Sequence, residues 1–91
     1  MPEVDLSQQI PATARWLKLR YEMTAAKAGT NLIARVWSGN LDEAVVIKGE
    51  SGDAFVRLDV PQKVWYQRPV GVDLKLKVIA YKTSTDSAEN K

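Results

Sequence analysis

Apolar and polar positions alternate along most of this chain. In "RWLKLRYEMT", Leu17, Leu19, Tyr21 and Met23 alternate with Lys18, Arg20 and Glu22, and that period of two predicts a half-buried strand. In "NLIARVWSG", Leu32, Ala34 and Val36 share one face, and Ile33, Arg35 and Trp37 the other, before "SGN" breaks the pattern. "EAVVIKG" is a short β-branched run closed by Gly49, and "ESGD" reads as a turn. "AFVRLDV" sets Ala54, Val56, Leu58 and Val60 against Phe55, Arg57 and Asp59, and Pro61 stops it. "KVWYQ" is ended by "RPVG". The closing run sets Val72, Leu74, Leu76, Val78 and Ala80 against Asp73, Lys75, Lys77, Ile79 and Tyr81. "AAKAGTN" begins like a helical turn, but Gly29, Thr30 and Asn31 end it, so it reads as a loop.

Short strands separated by Gly, Pro, Asn and Ser turns, with no amphipathic helix, predict an all-β fold. The architecture expected is a small antiparallel β-sandwich, jelly-roll-like, of about six to eight strands. Residues 10–82 form the predicted domain. Residues 1–9 lack clear periodicity and read as a flexible N-terminal arm, and residues 83–91 as a disordered polar tail. Val4, Leu6 and Ile10 are too few to build a core of their own. They suffice to add a strand to a neighbouring subunit's sheet edge.

Composition narrows the function. A chain of 91 residues fits one domain, and without cysteine nothing staples it covalently. Small unstapled domains often gain stability from a partner subunit. The absence of histidine removes the usual near-neutral base and the commonest metal ligand. The carboxylates are scattered, with no local catalytic signature, so no enzyme activity, catalytic residue, cofactor or metal is expected. A net charge of +2 does not announce a nucleic-acid binder. No apolar run reaches membrane-span length, and "MPEVDLSQQ" lacks the features of a signal peptide. The expectation is a protein made in the cytoplasm, with no membrane partner.

Three features carry candidate chemistry. Trp16, Trp37 and Trp65 fall on the strand faces opposite the core stripes, and exposed aromatics on a soluble domain mark contact surfaces. Trp65 and Tyr66 are chain neighbours, so one points out and the other in. Trp16, Trp37 and Trp65, with Val4 and Leu6 of the arm, are the expected protein interface. The second feature is a basic patch of Lys18 and Arg20 on the first long strand and Lys75 and Lys77 on the last, contiguous if those strands are neighbours. A plain solvated strand face is its simpler reading. The third is the pair "GNLDEA" and "GESGDA". Both lack the ligand spacing of a calcium loop and read as turns.

The succession "IPATARWLKL", "LIARVWSG", "VVIKGESGDAFVRL", "VWYQRP", "VDLKLKVIAY" resembles small jelly-roll β-sandwich modules. Such modules recur in bacteriophage virion proteins, such as capsid decoration and fibre proteins, and in bacterial surface proteins. The resemblance spans about residues 10–82 and carries no residue-level role. It implies a non-enzymatic structural protein of a virion, a homo-oligomer or a unit docked on a capsid lattice. The alternatives are a carbohydrate-binding module that uses the tryptophans, or a small inhibitor or regulator of a host protein.

Overall fold

The computed structural model describes residues 3–83. It contains seven strands: β1 (Glu3–Asp5), β2 (Ala14–Ala25), β3 (Ile33–Trp37), β4 (Val45–Lys48), β5 (Ser51–Arg57), β6 (Lys63–Gln67) and β7 (Val72–Thr83). A single 3-10 turn, Leu41–Glu43, lies between β3 and β4, capped by the Asn40 side chain. The strands form a four-stranded sheet in the order β1-β6-β3-β4 and a three-stranded sheet in the order β5-β2-β7. Every pairing is antiparallel. The fold is therefore the all-β sandwich that the alternation predicts.

The inner faces supply the core. Leu17, Leu19, Tyr21 and Met23 of β2 meet Ala54 and Val56 of β5, Val72 of β7, Ala34 and Val36 of β3, Ile47 of β4 and Val64 of β6. Each belongs to the apolar stripe of its strand, because side chains at alternate positions share one face. Tyr66 packs against this core from β6, half-buried, while Trp65 points away from it.

Polar ties join the layers. The Tyr21 hydroxyl donates to the Lys48 carbonyl at 2.6 Å, linking β2 to β4 of the other sheet. The buried Ser38 hydroxyl accepts the Val60 N–H at 3.1 Å and donates to the Lys63 carbonyl at 2.8 Å, which holds the β5–β6 connection. Within that connection Gln62 adopts φ 61°, a left-handed conformation uncommon outside glycine. Its carbonyl accepts the Leu6 N–H at 2.8 Å and its side-chain amide donates to the Ile10 carbonyl at 2.9 Å.

Those two bonds correct the expectation of an N-terminal arm. Residues 3–10 belong to the domain. Val4 lies opposite Val64 in the β1–β6 register, and Leu6 and Ile10 are each 3% exposed in the core. Val4 and Leu6 are thus part of the intramolecular packing, Leu6 fully and Val4 in part. The Asp5 carboxylate accepts the Ser7 N–H at 2.9 Å, and this bond holds its pKa below the ordinary range. A strand of three residues is too short to show periodicity, and its partner is some sixty positions away in the chain, so nothing local announces it.

The closing strand also departs from simple alternation. Lys18 pairs with Ala80 but Leu19 pairs with Val78, so Ile79 is the extra residue of a β-bulge. Beyond the bulge the faces exchange. Ala80, expected inward, joins Lys18 on the outer face, and Tyr81, expected outward, joins Leu17 on the inner face at the sheet's end, where it stays exposed. "ESGD" also differs from its reading as a turn: the reversal falls at Gly49–Glu50 and β5 begins at Ser51. Of the predicted tail, Thr83 ends β7, and residues 84–91 lie outside the described residues.

Candidate docking surface

β2 is the central strand of the three-stranded sheet, so its outward residues acquire neighbours from both sides. Trp16 lies opposite Arg57 of β5 and Lys82 of β7; Lys18 lies opposite Phe55 and Ala80; Arg20 lies opposite Asp53 and Lys77; Glu22 lies opposite Ser51 and Lys75. Trp16 and Phe55 are therefore diagonal neighbours on adjacent strands, within reach of each other on one pleated face. They are 48% and 61% exposed. The Lys18 ammonium sits 5.4 Å from the centre of the Phe55 ring, at cation–π distance.

The expected basic patch is brought together, because β2 and β7 are neighbours. Lys18, Arg20, Lys75 and Lys77 share the outer face, joined by Arg57 and Lys82. Arg20 and Lys77 face each other directly, and like charges in such pairs are unfavourable. Asp53 on the other flank offsets this: its carboxylate lies 3.1 Å from Arg20 Nε and 3.8 Å from Lys18 Nζ. Arg57 leans toward Asp59 at 3.5 Å. Among the described residues Lys75, Lys77 and Lys82 make no ion pair. The surface is aromatic and cationic at the Trp16 end and of mixed charge toward Glu22 and Asp73.

The other two tryptophans lie on the outer face of the four-stranded sheet, directly opposite each other in the β3–β6 register. Trp37 sits on an inner strand and is only 6% exposed. It is corrected from contact residue to buried residue: an inner strand has neighbours on both flanks, Trp65 among them. Trp65 is half-buried. Next to it, Lys63 pairs with Glu3 at 3.4 Å. Of the three tryptophans, Trp16 alone presents an open ring.

Alternation puts Phe55 and Arg57 on the polar side of their strand and gives them no role. Alternation tells which way a side chain points, and it does not tell which strand lies beside it. Lys82 was hidden by the bulge, which restores it to the outer face. Among the described residues no group of three or more acidic side chains is disposed to hold a metal. No helix of the structure is long and apolar enough to cross a membrane. No protein family model matches the chain, and neither the curated proteins nor the solved structures contain a match to it.

Proposed function

We propose that this chain is a non-enzymatic assembly module, of the kind found in virion decoration and accessory proteins, and that it associates with copies of itself and with its lattice through the outer face of β5-β2-β7. One observation carries the reading: Trp16 and Phe55 stand open and adjacent on a flat sheet face. Large exposed aromatics in a cluster are the usual anchors of protein contacts.

The magnitudes favour a weak, repeated contact. Covering the exposed half of two aromatic side chains removes roughly 200 Å² from water, worth about 5 kcal/mol gross. Association itself costs an estimated 4–15 kcal/mol, roughly the same size or more. One such face does not hold a tight dimer; many copies on a lattice do hold, because each later contact is effectively intramolecular.

The charge pattern favours protein over nucleic acid. Glu22, Asp53 and Asp73 share the face with the cations, and Asp53 already engages Lys18 and Arg20. A site for a polyanion gains from every uncompensated cation and loses from each interleaved carboxylate. An aromatic centre with a mixed-charge border is the anatomy of a protein interface.

The test is light scattering of the chain over a wide concentration range. The mass is expected to rise above the 10.1 kDa monomer as concentration increases. The Trp16→Ala/Phe55→Ala variant is expected to stay monomeric with its circular dichroism unchanged. A monomer at every concentration, together with saturable tryptophan quenching by a soluble polysaccharide or by single-stranded DNA, moves the assignment to that ligand.

A further inference from the structure

Among the described residues β7 is the longest sheet edge. It is twelve residues long and its strand partner there is β2, whereas the other edge strands, β1, β4 and β5, span three, four and seven residues. Alternate N–H and C=O groups of an edge strand point away from the sheet. Its first carbonyl is already used, since Arg68 Nη1 donates to the Val72 oxygen at 2.6 Å. The Ile79 bulge interrupts its far end. Between them, Asp73–Val78 is a regular, open stretch.

The two sides of this stretch differ. On its inner side Leu74, Leu76 and Val78 pack against the core yet stay only half-buried, as does Tyr66 on β6. On its outer side stand Asp73, Lys75 and Lys77, and the two lysines make no ion pair among the described residues. A depression of about 390 Å³ lies at the edge, lined by Tyr66 and Arg68 and by Glu22, Asp73, Leu74 and Lys75.

The geometry points to a strand-acceptor site at Asp73–Val78, which takes an extended segment of a partner protein in which apolar residues alternate with acidic ones. An added strand continues the ladder with its own main chain. Its side chains alternate, so one set completes the cover over Leu74, Leu76 and Val78 and the other lies beside Lys75 and Lys77. Antiparallel self-pairing of β7 centred on Leu76 sets Lys75 against the other copy's Lys77, and centring it on Lys75 sets that lysine against its own equivalent; centring it on Leu74 sets Lys75 against Asp73 and leaves Lys77 without an opposite charge. Lys75 and Lys77 together are better met by an acidic strand. The edge adjoins the outer face that carries Trp16 and Phe55, and its ladder does not use those two rings.

The experiment titrates a short peptide alternating valine and glutamate into isotope-labelled protein carrying Trp16→Ala and Phe55→Ala, which removes the other surface. Amide shifts and slowed hydrogen exchange are expected at Asp73–Val78. The same peptide with methylated backbone nitrogens is expected not to bind, since it cannot extend the ladder. The variant Lys75→Glu/Lys77→Glu should weaken the glutamate peptide by about tenfold, as for two exposed ion pairs, and bind its lysine counterpart instead. Equal binding of the methylated peptide, shifts confined to the β5 side of the sheet, or no binding by the glutamate peptide would overturn the assignment. A dimer of this variant background formed through β7 would do the same.

Discussion

Tyr21 and Gly52 form a pair whose sizes are matched. They lie directly opposite each other across β2 and β5, and a Cβ on residue 52 would stand 2.6 Å from the Tyr21 hydroxyl oxygen and 2.9 Å from the ring carbon that bears it. The ring occupies the space that glycine leaves and carries its hydroxyl on to Lys48. Gly52→Ala therefore forces the ring to move, and overpacking of this kind costs about 1–3 kcal/mol. Tyr21→Phe removes one largely buried hydrogen bond, about 1 kcal/mol. It also removes the atom nearest the intruding methyl. Urea denaturation of both single variants and the double variant should show a combined loss smaller than the sum. A strictly additive result would show that the ring does not meet the new methyl.

At the scale of elements, β1 and β7 show what alternation conveys and what it omits. β7 was legible because seven regular positions, Val72–Val78, precede the bulge; its last residues were not, because one inserted residue exchanges the faces. β1 was illegible because "EVD" is one apolar residue between two acids, and the partner that makes it a strand is Val64. Alternation alone starts β5 late, because Ser51, Gly52 and Asp53 are poor strand formers taken alone. They pair because Tyr21 covers Gly52 and Arg20 engages Asp53. Since Leu6 is in the core, Leu6→Ala should cost about 2–5 kcal/mol of stability, as large-to-small core changes do. Its urea midpoint should fall while the concentration dependence of its mass is kept. An unchanged midpoint with lost association would return residues 3–10 to the role of an intermolecular arm.

For the whole molecule, the chain passes from one sheet to the other at every connection except β3 to β4. Chain neighbours are thus rarely sheet neighbours: Val4 pairs with Val64, and Ala14 with Thr83. Both pairings close most of the chain into a loop before any contact rewards it. Refolding should accordingly take on the order of milliseconds to seconds, the range of sandwiches dominated by distant pairings. Tryptophan fluorescence after dilution from urea would report it through the burial of Trp37. Microsecond refolding would mean that local structure carries more of the fold than this topology allows.

The sequence by itself determined the class of the fold and the direction of most side chains. A period of two needs only the pleat of a strand, so Leu17, Leu19, Tyr21 and Met23 point inward and Trp16, Lys18 and Arg20 outward wherever the strand is placed. It also separated Trp65 from Tyr66. Tertiary structure alone decided which outward residues meet. Trp37 and Trp65 have the same outward pattern as Trp16, yet Trp37, on an inner strand beside Trp65, is buried. Trp16 stays open because β5 and β7 bring Phe55, Arg57 and Lys82 beside it and no strand above it. Alternation is a property of each strand, whereas adjacency depends on loop closure and core packing across the whole chain.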